Sequence, residues 1–240
     1  MKKLLIAIPA YNEEKILEKN ILKLNLFLSQ SLADYDCRIV INNNSSTDST
    51  GRIADKLSRE LPGVICIHHP FRSMSRSIQR TWLSHEADIY VHIDADLSAD
   101  LVNLPRLLET INAGANIATG SRMTDQSIRT RKIGREILSV GLIKIVQALF
   151  STSIQDFQCG FKAIDRKVRD EIIPKMKCTD HGLMSTEMIL VAIQKGLNVQ
   201  EIPIVWSDTR NTKTNLVWSI YDAFCNLYKI KLRLIFGKYN

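Results

Sequence analysis

What is scarce in this 240-residue chain narrows its class before any motif does. Only five cysteines are present (Cys37, Cys66, Cys159, Cys178 and Cys225), and none forms a Cys-x-x-Cys pair. Neither a disulfide framework nor a zinc knuckle is expected from that spacing, and a reducing compartment is the simpler setting. His68, His69, His92 and His181 likewise show no metal-ligand spacing. No stretch approaches the roughly 20 apolar residues of a membrane-spanning helix. Residues 1–10 imitate a secretory leader, but their apolar part is short, contains Pro9 and runs into Tyr11-Asn12-Glu13-Glu14, so a first strand is expected instead. Internal repeats, low-complexity tracts and flexible linkers are missing, which favours a single domain over residues 1–240. Zinc-finger, helix-turn-helix and aromatic-basic RNA-binding motifs are missing too, and no nucleic-acid partner is expected.

What is present is an ordinary globular composition, 45% hydrophobic and 24% charged, with a formal charge of +7. The cations are unevenly spread. Arg129, Arg131, Lys132 and Arg135 fall within seven residues, and Lys229, Lys231, Arg233 and Lys238 crowd the C-terminus. A phosphorylated ligand or an anionic membrane surface matches that distribution.

Apolar runs alternate with amphipathic stretches: strand 3–8, helix 13–31, strand 38–41, helix 48–61, strand 64–68, helix 75–85, a strand to 93, helix 101–113 and strand 116–119. Such alternation predicts an α/β fold with a mainly parallel sheet and helices on both faces. Ligands of such sheets bind outside the carboxyl ends of the strands. Three polar segments converge there: residues 9–14, 42–48 and 94–96. In the third, Asp94 and Asp96 flank Ala95 at the end of an apolar strand, a donor pair suited to a hard divalent cation bridging to a diphosphate. A helix cap or turn at Asp96 is the plainer alternative. Beyond residue 121 the rhythm changes to a basic loop, an apolar segment at 137–150, a short strand around 156–164, a final strand at 201–206 and an aromatic, basic C-terminal stretch from residue 218. The apolar segment reads as a buried helix or as one lying in a membrane interface, and the C-terminal stretch as an amphipathic helix.

In order along the chain, Ile8-Pro9-Ala10-Tyr11-Asn12-Glu13-Glu14, Asn43-Asn44-Ser45-Ser46-Thr47-Asp48-Ser49-Thr50, Asp94-Ala95-Asp96, Gly120-Ser121-Arg122 and Asp156-Phe157-Gln158-Cys159-Gly160-Phe161-Lys162 resemble the family-two glycosyltransferases of the GT-A fold. Within them the likeness is greatest to the dolichyl- and polyprenyl-phosphate sugar transferases. The resemblance implies a GT-A (Rossmann-like) sheet whose residues 1–120 bind a nucleotide sugar and whose residues 121–240 bind the acceptor. It implies an inverting, metal-dependent hexosyltransferase at the cytoplasmic face of a membrane, peripheral rather than spanning, with Mg²⁺ or Mn²⁺ as cofactor. The donor would be a UDP- or GDP-sugar and the acceptor a polyprenyl or dolichyl phosphate; a membrane-protein partner is a further expectation.

Carried over residue by residue, Pro9, Ala10, Tyr11, Asn12, Glu13, Asn43, Ser46 and Asp48 would line the nucleotide. Asp94 and Asp96 would hold the metal, with Ala95 between them. Arg210 and Lys213 would close over the diphosphate, and Arg122 and Arg135 would meet the acceptor phosphate. Asp96, Asp156 and Glu187 are the catalytic candidates, the last two as general base for a hydroxyl acceptor or as ligands of the donor sugar. The chain departs from the family where Asn43 stands in place of the usual aspartate, beside Asn44 at a position that often holds an aspartate or an asparagine, which leaves the base open, and where Ser73 and Ser75 replace glycines. These serines are expected to cap a helix and Cys159 to pack rather than react, and contact of Arg72 or Arg76 with phosphate is the lesser alternative. A same-fold transferase acting on a glycan or glycolipid hydroxyl, and a noncatalytic binding or scaffold protein, remain the alternatives.

Overall fold

The computed structural model describes residues 1–130, 143–144, 146–177, 183–207 and 216–239, with side chains described except at 129–130 and 216–224. Seven strands, β1 (Lys2–Ala10), β2 (Tyr35–Asn44), β3 (Val64–His69), β4 (Ile89–Ile93), β5 (Ile117–Ser121), β7 (Phe161–Asp165) and β8 (Val199–Pro203), form one sheet in the order β3-β2-β1-β4-β7-β5-β8. A separate ribbon pairs β6 (Ile128–Thr130) with β9 (Val205–Ser207) in parallel. Helices α1 (Leu17–Ser31), α2 (Thr50–Glu60), α3 (Met74–Ser84) and α4 (Leu104–Asn112) alternate with the first five strands, as the periodicity predicts.

The period of two along β1 divides its side chains between two cores. Leu4, Ile6 and Ile8 face one side, where they meet Leu17, Ile21 and Leu24 of α1, Ala54 and Leu57 of α2, and Leu104, Leu107 and Leu108 of α4. Leu5 and Ala7 face the other, against Ile78 and Trp82 of α3 and Met188 and Ile189 of the Met184–Gln194 helix. A strand buried on both faces reads as a continuous apolar run, which is why residues 4–8 carry no alternation.

Of the elements that differ from the sequence expectation, three shape the site. Helix α1 begins at Leu17 rather than at residue 13, because Asn12 takes a left-handed φ of 55° and Glu13 O closes a turn on the N–H groups of Ile16 and Leu17. Strand β7 starts at Phe161 and runs antiparallel between β4 and β5, so the sheet is mixed. The expected final strand is two strands, divided at Ile204: β8 pairs with β5, while β9 leaves the main sheet for β6. No helix among the described residues is long and apolar enough to cross a membrane. Of the apolar segment at 137–150, residues 143–144 and 146–150 are described and helical, with Val146 buried and Leu149 exposed.

Candidate functional site

Strands β1 and β2 run parallel in full register, Lys2 opposite Tyr35 through Ala10 opposite Asn43, so their polar ends emerge side by side. The two loops then lock together through short side chains and backbone. Asn12 N donates to Ser46 Oγ (3.1 Å), Thr47 N to Asn12 Oδ1 (2.8 Å), Glu13 N to Thr50 Oγ1 (2.7 Å) and Ser49 N to Glu14 Oε2 (2.9 Å). Asp48 accepts from Thr50 N and Glu14 N. Against a desolvation that would raise it, the hydrogen bonds from Thr50 and Glu14 hold the Asp48 carboxyl below its ordinary value. Pro9 and Ala10 are buried, whereas Tyr11 and Asn12 are exposed at the rim, with the Arg72 guanidinium 4.9 Å from the Tyr11 ring centre.

Strand β4 ends beside them, since it pairs with β1 on the opposite edge from β2. Leu97 takes a left-handed φ of 50° and closes a turn on Asp94 O, while Ser98 N donates to Asp96 Oδ1 (3.0 Å). Asn20 of α1 steadies the intervening Ala95 carbonyl (2.9 Å). The Asp94 N–H donates to Gly160 O, and a Cβ built on Gly160 would stand 1.8 Å from Asp94 Oδ2. The absence of that side chain makes the cradle in which the Asp94 carboxylate lies. Buried His92 brings Nε2 to 3.2 Å from Asp94 Oδ1, without the alignment of a hydrogen bond. A pair of carboxylates at a strand end, with one carboxylate seated in a glycine cradle, is an oxygen donor set of the kind that Mg²⁺ and Mn²⁺ take.

The opposite side of the crevice is built from charges. At the end of β5, Arg122 grips Asp156 twice, Nε to Oδ2 at 2.6 Å and Nη2 to Oδ1 at 2.8 Å, and its backbone N–H adds a third bond at 3.1 Å. Glu201 of β8 accepts from the backbone N–H groups of Gln155 and Asp156, both at 2.8 Å, and the Arg122 guanidinium lies 4.9 Å from the Trp206 ring centre. Burial would raise the Asp156 carboxyl, but the bonds and charge of Arg122 outweigh it and hold the group below its ordinary value. The same pair outweighs desolvation at Arg122 and moves it upward. Lys162, fully buried on β7, donates to the Cys159 carbonyl; burial pulls its ammonium downward against the upward pull of Cys159, Asp156 and Asp94. Cys159 is fully buried, and burial pushes its thiol up to about 12, in keeping with a packing role.

Asp94, Asp96, Arg122 and Asp156 therefore converge around the ends of β4 and β5, whereas Glu187 has different surroundings. It is fully buried in the Met184–Gln194 helix and accepts from Lys177 N, from Tyr239 Oη and, at 3.4 Å, from Arg233 Nη1. Arg135, Arg210 and Lys213 lie outside the described residues. Ser73 caps α3 through Arg76 N (3.2 Å), as expected, whereas Ser75 lies inside the helix with its hydroxyl buried and does not cap it; the Arg76 guanidinium lies beside the Phe71 ring. Asn42 and Lys162 lie within the sequence motifs without a role of their own there; Asn42 Oδ1 accepts from Thr81 Oγ1 (2.6 Å) and lies 2.8 Å from His69 Nε2. The signal for both was a polar side chain inside an otherwise apolar strand.

Residues 5–173 match Glycosyl transferase family 2. Glycosyltransferase AglD of Haloferax volcanii is 28% identical over 218 residues, covering 90% of this chain and 35% of that protein, so the chain spans about a third of that relative's length. A dolichyl-phosphate beta-glucosyltransferase of Trichomonas vaginalis is 26% identical over 238 residues, covering 95% of this chain and 72% of the relative. Among solved structures, glucosyl-3-phosphoglycerate synthase from Mycobacterium tuberculosis in complex with UDP superposes with a TM-score of 0.73 at 17% identity, over 96% of this chain and 80% of the synthase. The same synthase with Mn²⁺, UDP and glucosyl-3-phosphoglycerate gives 0.68 at 15% identity, over 99% and 80%. The sheet and its helices are thus those of GT-A glycosyltransferases, and the family match covers most of the chain, which belongs to glycosyl transferase family 2.

Proposed function

We propose that this glycosyltransferase moves a hexose, with inversion, from a UDP- or GDP-sugar to a polyprenyl or dolichyl phosphate at a membrane surface. In this reading Pro9, Ala10, Tyr11, Asn12, Glu13, Asn43, Ser46 and Asp48 line the nucleotide, and Asp94 and Asp96 hold a divalent ion. Bound there, Mg²⁺ or Mn²⁺ neutralises the charge that grows on the departing diphosphate. The family relatives named above, and the Mn²⁺ and UDP in the synthase structure, support that assignment. Arg210 and Lys213 are assigned to the diphosphate, and Arg122 and Arg135 to the acceptor phosphate.

The observation that carries the acceptor assignment is the engagement of both candidate bases. Asp156 is gripped by Arg122 and held in its ionised, weakly basic form, and Glu187 is fully buried among hydrogen-bond donors. A sugar hydroxyl must lose a proton to attack, so it needs a base. A phosphate monoester is already anionic near neutral pH and needs cations instead. Asp156 then serves to aim the Arg122 guanidinium, whose five N–H groups exceed the two that its side chain spends on the carboxylate. Direct in-line attack by the phosphate oxygen on the anomeric carbon gives inversion. Peripheral membrane contact is assigned to the helix Leu216–Ile235 and its end, where Tyr228, Ile235 and Phe236 are exposed beside exposed Lys229 and Lys238.

The test is transfer from UDP- and GDP-hexoses, with Mn²⁺, to vesicles carrying either a polyprenyl phosphate or the matching polyprenol. An acid-labile sugar-phosphate-lipid formed only with the phosphate is the expected product. Equal turnover on the polyprenol would overturn the acceptor assignment.

A further inference from the structure

We propose that Asp55, Cys66 and His68 form a second metal site, separate from the Asp94/Asp96 pair, that takes a borderline-soft divalent ion such as Zn²⁺. Cys66 and His68 are two residues apart on β3, so both point to the same face of the sheet. Helix α2 covers that face: Cys66 packs against the core that holds Ala54 and Leu57, whereas Ile65 and Ile67 belong to the other core. Asp55, one residue beyond Ala54, completes the group. Asp55 Oδ1 lies 2.9 Å from His68 Nε2, and Cys66 Sγ lies 3.6 Å from the same nitrogen. All three donor atoms fall within 4.8 Å of one another, and among the described residues this is the one such group of three.

Two of the three ligand spacings can be set against those of a tetrahedral site. With bonds of about 2.1 Å to nitrogen and oxygen and 2.3 Å to sulfur, neighbouring ligands stand roughly 3.4 to 3.6 Å apart. The sulfur–nitrogen distance already satisfies this, and the oxygen–nitrogen distance needs to open by about half an ångström. The side chains of Asp55 and His68 are 43% and 51% exposed, which gives room for that adjustment, an entry path for the ion and a fourth position facing water. One thiolate, one imidazole and one carboxylate are a mixed donor set that favours zinc over the oxygen-seeking ions of the 94/96 pair.

The other face of the imidazole gives the ion a consequence. Asn43 Nδ2 stands 2.9 Å from His68 Nδ1, and Asn43 Oδ1 accepts from Ser46 N at 3.2 Å. With a metal on Nε2, the proton of a neutral imidazole sits on Nδ1, which must then donate. The Asn43 amide meets this by turning over and offering Oδ1, which releases Ser46 N. Ser46 Oγ in turn holds Asn12 N, so occupancy of the ion is felt where the two strand-end loops join. The existence of the site does not depend on what the crevice binds.

The reduced, chelator-stripped full chain is titrated with Co²⁺ as a spectroscopic stand-in for zinc. One equivalent is expected to give tetrahedral d–d absorption and a thiolate-to-cobalt charge-transfer band, both displaced by Zn²⁺. Cys66→Ser should lose the charge-transfer band, and Asp55→Asn and His68→Gln should weaken Zn²⁺ binding by about tenfold or more. An Asp94→Asn, Asp96→Asn chain should keep the band. Zn²⁺ should also raise the Tm of the wild type but not of Cys66→Ser, whose metal-free melting is expected to match the parent. No charge-transfer band at one equivalent, a band that survives Cys66→Ser, or a band lost with Asp94 and Asp96 would each overturn the proposal.

Discussion

The wall of the crevice made by β1 and β2 and the wall made by β5 and β7 are held in place by different physics. The first is tied by many small bonds between backbone N–H groups and short polar side chains, Asn12 to Ser46 and Thr47, Glu13 to Thr50, Glu14 to Asp48 and Ser49. The second rests on a few buried charges, Arg122 against Asp156, Lys162 against the Cys159 carbonyl, with Glu201 beneath. Each small bond contributes on the order of 1 kcal/mol and can be lost singly, whereas one partner removed from a buried ion pair leaves the other without compensation. The first wall should tolerate substitution by degrees. The second should fail at single positions.

The largest test of that contrast is Asp156→Ala, expected to lower unfolding free energy in urea by about 3 kcal/mol because it strands a mostly buried guanidinium and the N–H groups of Arg122 and Gln158. The pair also has a pH signature. The folded-state pKa of Asp156 is depressed, so its contribution is complete above the ordinary carboxylate value of about 4 and drains as the pH falls through the lowered one. Acid titration of stability should therefore be shallower in Asp156→Ala than in the wild type. Next is Gly160→Ala, whose added Cβ must displace the Asp94 carboxylate. A shift on the order of 1 Å at a reacting centre costs about 100-fold in rate, so kcat should fall by that factor while melting changes little. The smallest effect is expected for Ser46→Ala, about 1 kcal/mol in the same urea measurement, through the single bond to Asn12 N. If Ser46→Ala destabilised as much as Asp156→Ala, the distinction between the walls would be lost.

The wall of small bonds was also the legible one. Residues 9–14, 42–48 and 94–96 each follow an apolar run, and the alternation of strands with helices α1 to α3 is enough to bring their ends together. The charged wall was not, because its contacts join residues far apart in the chain. Arg122 and Asp156 are 34 positions apart, and as separate motifs they read as a phosphate ligand and a base or sugar ligand; only their juxtaposition shows that the carboxylate takes two of the guanidinium's N–H groups. The direction of β7 was illegible as well, since an apolar run predicts a strand but not its polarity. Glu187 is a candidate through the family resemblance alone, and its contact with Tyr239, 52 residues away, is announced by no local motif. His68 showed no ligand spacing in sequence because its partners are Cys66 on its own strand and Asp55 on the preceding helix, which no linear motif joins.

The reversed strand also orders events at the ribosome. β4 and β5 do not pair; each is joined to the other through β7, and β8 pairs with the sheet through β5. As the chain emerges, β1 to β4 can assemble with their helices while residues 117–121 wait, unpaired, for another forty residues to be translated. A half-made chain thus exposes the open side of β4, a template for strands of other molecules until its own insert arrives.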